Sequence, residues 1–268
     1  MVPPPLASRE AVREERFSNV WTNGLNDAFA DIAPYYDRGN QIAALGLWGS
    51  FLRRFMRSVD LQPNQKVLDV CAGTNAVGIA LLKREPTLDV HAMDRSAEMQ
   101  TVGQQRASAL GFHIKSTIGD VHKLPFPDNH FDTVIGGYHS FRYIGLEKGF
   151  NECARVLKPG EMFAFTLWNY WSLNIHALLG DIKNMRFPKP FPLQEKDVIC
   201  NDVSWVKNEI RVLQKAGFDV TSLLSTKRLP LRRFSFLKKI ANWNGYWHGT
   251  LGAFIGYDII FICRNEKV

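Results

Sequence analysis

The chain has 268 residues, 46% of them hydrophobic, which suits one large α/β domain with added C-terminal elements. No apolar run is long enough to span a bilayer. A formal net charge of +7 would suit nucleic acid or an anionic membrane surface, but the charge is spread over many segments, so composition alone does not favour nucleic acid. The four cysteines lack C-x-x-C spacing, which predicts free, reduced thiols in an intracellular protein and no metal site: Cys71, Cys153, Cys200 and Cys263.

The first segment, residues 1–28, is interpreted as an N-terminal extension, and residues 29–268 as the main domain. Residues 1–8 are Pro-rich and predicted to be disordered, without the apolar core of a secretory signal. The stretch from Phe29 to Asn40 contains the pattern A-P-x-Y-D-x-x-N. Its plainest interpretation is a corner between helices, fixed by Pro34. A helix should follow, with a buried face formed by Ile42, Leu45, Trp48, Leu52, Phe55, Met56 and Val59.

The segment Lys66–Asn75 organises the rest of the chain. Lys66–Val70 reads as a buried strand, Cys71–Asn75 as a tight loop of small residues, and a helix begins at Ala76. Such a loop lets a ligand approach the backbone, and the helix start offers free N–H groups. The loop lacks the G-x-G-x-x-G spacing of nicotinamide and flavin sites. A plain βαβ unit without a ligand remains the alternative.

Two further strands are predicted to end in polar residues. The second closes at Asp94, where a carboxylate can bind ribose hydroxyls. The third closes at Gly119-Asp120-Val121, where a side chain can meet an adenine edge. Between them, Ser96 is predicted to cap a helix that runs to Ala109.

The next elements form a longer run of motifs. Leu124–Asp132 reads L-P-F-P-D-N-H-F-D and leads into a fourth strand, Thr133–Gly137. That strand ends at the segment 138–143, at the carboxyl end of the sheet, where ligands of open α/β sheets bind. A helix should end at the turn Lys158–Glu161, before a fifth strand, Met162–Trp168.

The C-terminal part is less regular. Residues 169–202 combine aromatic residues with prolines and are predicted to form an inserted lid over an apolar or aromatic substrate, or else a surface appendage. A helix over 203–216 and strands at 218–224 and 255–263 should complete the sheet. Between these strands, Lys227–Lys239 mixes cations with bulky apolar residues. A loose contact with a membrane surface is the favoured hypothesis, with a nucleic-acid surface or a plain loop as alternatives.

The loop after the first strand resembles motif I of class I S-adenosylmethionine-dependent methyltransferases, D-x-x-x-G-T-G. Asp69, Gly73 and Thr74 match it, and Asn75 replaces the last glycine. Asn tolerates the left-handed conformation that this position would need. The resemblance implies S-adenosyl-L-methionine as the cofactor. It also implies these cofactor-binding residues: Asp69, Ala72, Gly73, Thr74, Asn75, Asp94, Arg95, Met99, Asp120, Val121 and Tyr138.

Three other patterns resemble the ubiquinone/menaquinone biosynthesis C-methyltransferases: A-P-x-Y-D-x-x-N, D-x-x-x-L-P-F-P-D-x-x-F-D and R-V-L-K-P-G. In that family the first pattern caps the cofactor and faces the substrate. The resemblance also implies an arginine in the loop after the fourth strand, matched by Arg142, while Tyr143 stands where the family has Asn. Arg142, His139 and Tyr36 are therefore the candidate catalytic residues, with His139 as a titratable group near neutrality.

The expected fold is a Rossmann-like, seven-stranded, mostly parallel sheet with helices on both faces, an antiparallel last strand and an inserted lid. The expected function is methyl transfer from S-adenosylmethionine to carbon of a hydroxylated quinone ring. A methyltransferase for another apolar acceptor and a member that binds its ligand without methylating are the alternatives. We expect a cytoplasmic protein with a small apolar or aromatic substrate and no nucleic-acid partner. The oligomeric state is open, with a homodimer among the options.

Overall fold

The computed structural model describes residues 26–43, 48–138, 140–168, 206–226, 247–248 and 258–267. The predicted lid (169–202), the basic segment (227–239), residues 1–25, His139 and Cys200 lie outside this part of the chain. Helix α1 (Asn26–Ile32) crosses the predicted boundary between residues 28 and 29.

Seven helices lie in the described residues. They are α1, α2 (Tyr36–Ala43), α3 (Trp48–Ser58), α4 (Ala76–Arg84), α5 (Ala97–Ala109), α6 (Leu146–Val156) and α7 (Val206–Lys215). Two short 3-10 turns, Ala33–Tyr35 and Ser140–Tyr143, join α1 to α2 and precede α6.

The strands form one sheet in the order β3-β2-β1-β4-β5-β8-β6-β7. They are β1 (Lys66–Val70), β2 (Asp89–Asp94), β3 (Lys115–Ile118), β4 (Phe131–Gly136), β5 (Leu157–Trp168), β6 (Phe218–Thr226), β7 (Trp247–His248) and β8 (Asp258–Asn265). The first five pair in parallel, and β8 runs antiparallel between β5 and β6. The predicted seven-stranded fold is confirmed, and the two-residue β7 is added at its outer edge.

The parallel strands are apolar because helices cover both faces of the sheet. One core cluster includes Leu68 and Phe163, and the other includes Val67 and Ile135, so neighbouring residues of a strand serve opposite layers. Three described cysteines, Cys71, Cys153 and Cys263, are free thiols, as predicted. No helix within the described ranges is both long and apolar enough to cross a membrane.

Two sequence predictions about these elements are wrong. Ile42 in α2 is 67% exposed and does not share the buried face that Phe55, Met56 and Val59 of α3 form. The turn Lys158–Glu161 does not precede β5 but lies within it. There the register moves from Phe131 opposite Leu157 to Thr133 opposite Met162, and the extra residues form a bulge.

Arg155 on α6 explains why two of the sequence motifs occur together. Its guanidinium donates to the carbonyl oxygens of Phe126 at 2.8 Å and Leu124 at 2.9 Å. It also pairs with Glu152 at 2.7 Å and Asp128 at 2.8 Å. The hydrogen bond from Arg155 lowers the pKa of Glu152. Arg155 therefore holds the proline-containing crossover loop against α6.

Candidate functional site

A pocket lies at the carboxyl edge of the sheet, which we define as the edge where β1 to β4 end. It contains about 970 Å³ of space outside the protein atoms, part of it open to solvent. Eleven of the predicted site residues line it: Tyr36, Asp69, Ala72, Gly73, Thr74, Asp94, Arg95, Met99, Asp120, Val121 and Tyr138. Because the parallel strands end together, residues far apart in the chain meet here.

Asp69 is the last residue but one of β1, and its carboxylate is almost completely buried, at 1% exposed. Its Oδ2 accepts a hydrogen bond from the Gly78 N–H at 3.2 Å. Its Oδ1 is buried and has no hydrogen-bond partner in the part of the chain that the structure describes. Burial raises the pKa of Asp69 well above its usual range, and the Gly78 bond opposes this only in part. The pocket wall therefore carries an acceptor that a positively charged ligand group could satisfy.

Asp94 joins the end of β2 to the loop after β1. Its Oδ2 accepts from the Gly73 N–H at 2.7 Å, and its Oδ1 accepts from the Ser96 N–H at 3.0 Å. Gly73 itself has a φ of 52°, which favours glycine. Ser96 caps α5, as predicted, by accepting from the Met99 N–H at 3.2 Å. Burial raises the pKa of Asp94, against the hydrogen bonds that it accepts.

Asn75 has the left-handed conformation that the sequence predicts, with a φ of 56° and a ψ of 27°. Its side chain is fully buried and is not among the groups that line the pocket. The prediction of direct cofactor contact by this side chain is therefore not supported by the structure. Asn75 shapes the loop through its backbone.

The corner between α1 and α2 also reaches the pocket. The 3-10 turn Ala33–Tyr35 contains Pro34, so the corner interpretation is confirmed, and Tyr36 directly after it lines the pocket. Asp37 accepts from Thr74 Oγ1 at 3.0 Å and pairs with Arg106, whose guanidinium also reaches the Thr74 carbonyl oxygen at 2.9 Å. The pattern A-P-x-Y-D-x-x-N thus places one carboxylate on the loop after β1.

Four aromatic side chains contribute to the lining of the pocket. Trp48 stacks on Tyr138 with ring centroids 3.9 Å apart and an interplanar angle of 10°. Phe29 meets Tyr36 edge-on with centroids 6.1 Å apart. All four residues line the pocket. This wall can accept a flat apolar group, because aromatic rings pack well by stacking or by edge-to-face contact.

His122 is a pocket residue that the sequence analysis did not select. Its Nδ1 lies 2.8 Å from Asp120 Oδ1, and its Nε2 accepts from the Gly145 N–H at 2.9 Å. Because Nε2 accepts this hydrogen bond, Nδ1–H is the ring donor that faces Asp120. The bond from His122 lowers the pKa of Asp120 to about 2. A polar residue two positions after Asp120 was the available sequence signal.

The predicted catalytic residues are only partly brought together. Tyr36 lies in the pocket, and the backbone of Arg142 lies in the 3-10 turn Ser140–Tyr143 directly after β4. His139 and the side chain of Arg142 are outside the described part of the chain. Asn40, the last residue of the pattern A-P-x-Y-D-x-x-N, does not line the pocket, and its buried Nδ2 has no hydrogen-bond partner among the described residues. The roles of these residues remain predictions.

Comparison with protein families and relatives now identifies this pocket-bearing region. Residues 67–160, from β1 into β5, match the family model described as a methyltransferase domain. These residues form a methyltransferase domain. The predicted resemblance to class I S-adenosylmethionine-dependent methyltransferases, and with it the cofactor type, is confirmed for this domain.

Curated methyltransferases match about half of this chain. The chain is 35% identical over 150 residues to the demethylmenaquinone methyltransferase of Geobacillus stearothermophilus, over 55% of this chain and 61% of the relative. It is 30% identical over 139 residues to the ubiquinone/menaquinone biosynthesis C-methyltransferase of Geotalea daltonii, over 51% and 59%. The matches thus span about three fifths of each relative.

Solved structures share the fold beyond the methyltransferase domain. A Thermotoga maritima structure described as an S-adenosylmethionine-dependent methyltransferase, possibly for histamine, has a TM-score of 0.62 and 17% identity, over 89% of this chain and 98% of that one. Geranyl diphosphate C-methyltransferase from Streptomyces coelicolor, solved with S-adenosyl-L-homocysteine, has a TM-score of 0.56 and 16% identity, over 81% and 79%. At these identities the likeness shows the fold alone.

The residues of the pocket fit an S-adenosylmethionine ligand. Asp69 Oδ1, which has no hydrogen-bond partner among the described residues, could accept a hydrogen bond from a positively charged group. Asp94 lies at the end of β2, where ribose hydroxyls are predicted to bind. Asp120, Val121 and Met99 complete the side where an adenine would lie. No group of three or more His, Cys, Asp or Glu residues in the described ranges could hold a metal ion.

Proposed function

We propose that this protein transfers a methyl group from S-adenosylmethionine to a ring carbon of a hydroxylated quinone or quinol. The observation that carries the proposal is the pairing of two surfaces in one pocket. The carboxylates Asp69 and Asp94 and the stacked aromatic pair Trp48 and Tyr138 line the same pocket. The similarity to demethylmenaquinone methyltransferases supports the ring-type acceptor.

The bound cofactor supplies an activated methyl group, so the protein contributes mainly alignment. Asp69, Asp94 and the loop 71–75 orient the cofactor. Trp48 and Tyr138, stacked 3.9 Å apart, place a flat acceptor against it and exclude water. The ring carbon becomes nucleophilic when a phenolic oxygen loses its proton. We propose that Arg142 polarises that oxygen or a bound water and that His139 accepts the proton.

The direct test is a mass-shift assay with purified protein, S-adenosylmethionine and a series of demethylated quinols. We expect a gain of one methyl group on carbon for a quinol, and no product for acceptors without a hydroxyl group on the ring. Calorimetry with S-adenosylhomocysteine, performed alongside, reports cofactor binding independently of the acceptor. Methylation of oxygen on a phenol or polyketide, with quinols inert, would replace the acceptor assignment while retaining the reaction class.

The catalytic roles of the loop after β4 have their own test. Arg142→Ala should lower turnover and leave affinity for S-adenosylmethionine nearly unchanged, because Arg142 acts on the acceptor side. His139→Asn should flatten a rate that otherwise rises with pH through the imidazole pKa, nominally about 6.5. Loss of cofactor binding in Arg142→Ala would place the loop on the wrong side of the pocket. Parent rates in both variants would leave catalysis to alignment alone.

A second candidate function is ligand binding without methyl transfer. It is favoured by one feature, the replacement of the last motif glycine by Asn75, whose bulk fills space behind the loop. Calorimetry separates the two functions only together with the assay. Tight binding of S-adenosylhomocysteine with no product from any acceptor in the series would favour this candidate.

We also propose that the basic segment Lys227–Lys239 brings the protein to anionic membrane surfaces, where an apolar quinone would be found. The support is its alternation of cations with bulky apolar residues. Co-sedimentation with vesicles that contain anionic lipid should fall with added salt, because surface charges are screened within about 10 Å at 0.1 M. Binding that ignores both salt and lipid charge would contradict this part of the proposal.

A further inference from the structure

We propose that Gln100 is a positioning residue for cofactor binding, and that Asn75, Gln100 and Gly103 act as a matched set in place of a glycine at position 75. The sequence motifs do not predict this role for any of the three residues. The inference rests on the proposed function, because it assumes that the loop 71–75 holds S-adenosylmethionine.

Asn75 brings a polar side chain into the interior of the protein. It is fully buried, in the left-handed conformation, with a φ of 56°. A glycine there would need no partner, whereas a buried amide without hydrogen bonds is costly. Its Oδ1 accepts from Gln100 Nε2 at 2.9 Å, and its Nδ2 has no partner. Gln100 therefore stabilises a loop conformation that Asn75 alone would leave unsatisfied.

Gln100 uses both ends of its amide to connect three elements. Its Nε2 donates to Asn75 Oδ1 and to the carbonyl oxygen of Gly73, each at 2.9 Å. Its Oε1 accepts from Ser116 Oγ on β3 at 2.5 Å. The side chain is 2% exposed, so water does not compete for these bonds. Glutamine fits because it supplies two donors and an acceptor at once.

These contacts fix the peptide that borders the pocket. Gly73 donates its N–H to Asp94 at 2.7 Å and offers its carbonyl oxygen to Gln100 at 2.9 Å. The two bonds hold the residue from both sides. Loss of the Gln100 bond would release the carbonyl side, while the strained turn at Asn75 stayed in place. The backbone that meets the ligand would then lose its fixed position.

Gly103 on α5 provides the space that Asn75 takes. A Cβ at position 103 would lie 2.7 Å from the Cγ of Asn75 and 2.9 Å from the carbonyl carbon of Thr74. Glycine in the middle of a helix is destabilising relative to alanine. Its presence here is explained by contact with Asn75. In effect, the helix carries the glycine that the loop lacks.

The test is calorimetry of S-adenosylhomocysteine binding to the full chain. Gln100→Leu should weaken binding about tenfold, because the loop loses a hydrogen bond on the side facing α5. Adding Asn75→Gly to Gln100→Leu should restore at least half of the loss on a logarithmic scale, because glycine needs no partner for the turn. Gln100→Glu, which cannot donate, should resemble Gln100→Leu.

Gln104 on the same helix provides the matched control. It donates to the carbonyl oxygen of Ile114 at 2.9 Å and does not touch the loop. Gln104→Leu should lower the melting temperature and keep the parent affinity. Equal affinities for Gln100→Leu and Gln104→Leu, or no rescue by Asn75→Gly, would overturn the proposal.

Two further measurements keep the test decisive. If Gln100→Leu does not fold, Gly103→Ala replaces it, with the same expected weakening. Asn75→Gly should then rescue only part of the loss, because the contact of the new Cβ with the Thr74 carbonyl carbon at 2.9 Å remains. If the parent protein does not bind S-adenosylhomocysteine, the proposed function fails. The matched set is then judged by urea unfolding of the single and double variants without ligand. Additive effects of Asn75→Gly and Gln100→Leu would reject it, and coupling between them would support it.

Discussion

The two edges of the sheet differ in which residues adopt the left-handed conformation and in the pKa shifts of their carboxylates. At the amino edge, where β1 to β5 begin, left-handed positions are held by Asn64 and Asn129, which tolerate that conformation. At the carboxyl edge they include Cys71, with a φ of 53°, and Tyr138, with a φ of 51°, which adopt it rarely. Strained backbone is thus concentrated at the pocket, as is common at functional sites.

The carboxylates show the same contrast. At the amino edge, partial burial acts to raise the pKa of Asp89 and Asp132. The hydrogen bonds and charges of Lys115 and His91 at Asp89, and of Lys158 and Lys66 at Asp132, together outweigh it and lower both pKa values. At the carboxyl edge, burial raises the pKa of Asp69 and Asp94, while the bond from His122 lowers that of Asp120. In the described part of the chain, Asp89 and Asp132 have lysine partners, whereas Asp69 Oδ1 has no hydrogen-bond partner.

The largest effect on stability should come from Arg155, which serves the amino edge. Arg155→Met removes donors from two backbone carbonyls and from Glu152, and should lower the free energy of unfolding by about 3 kcal/mol. Cofactor affinity of the folded variant should not change. Arg264 offers a control, because its exposed side chain donates to the Gly160 carbonyl oxygen at 3.2 Å; its change to Met should cost at most about 0.5 kcal/mol. Urea denaturation and calorimetry check both values.

Asp94 and Asp89 at opposite ends of β2 give the sharpest test of the comparison. Asp94→Ala should weaken cofactor binding by about 1.5–3 kcal/mol, because charge-assisted hydrogen bonds are lost. Asp89→Ala breaks a surface pair with Lys115, worth about 0–1 kcal/mol of stability, and should leave the affinity unchanged. Calorimetry with S-adenosylhomocysteine measures both. Equal losses of cofactor affinity in the two variants would show that the position of the aspartate along β2 does not matter, which contradicts the comparison.

A smaller, pH-dependent effect is expected for Asp69. Its folded-state pKa lies above the ordinary value of 3.8, so ionisation opposes folding as the pH rises from that value through the raised pKa. Asp69→Asn removes the ionisation, and its stability relative to the parent should therefore grow with rising pH. Cofactor binding should fall at the same time. Urea unfolding between pH 4 and 9 checks this, and a gain that shrinks with rising pH would contradict the raised pKa.

Much of the fold and of the pocket could be predicted from the sequence because the information is local. The apolar strand Lys66–Val70, the small-residue loop and Ser96 as a helix cap each depend on a few adjacent residues. The left-handed turn at Asn75 was predictable for the same reason. Asp69, Asp94 and Asp120 could be selected since polar residues at the ends of parallel strands meet at one edge.

Other features depended on contacts between distant parts of the chain. The apolar spacing around Ile42 predicts a buried position, but Ile42 faces solvent, whereas Phe55 and Val59 of α3 are buried. His122 is held at the pocket by Gly145, which follows β4 in the chain and donates its N–H to the His122 ring. The burial of Asn75 against Gln100 and Gly103 depends on the packing of α5 over the loop.

Three features can be predicted from the sequence without a structure. They are the order of strands and helices along the chain, the methyltransferase motifs and the carboxylates at the strand ends. Those features follow from side-chain periodicity and backbone conformation, which short segments specify. Contacts within the folded protein keep the Asn75 side chain out of the pocket lining. They also decide which groups hydrogen-bond to it. Hydrogen bonding and steric fit between α5 and the loop set that outcome, since both require atoms from separate segments within a few ångströms of each other.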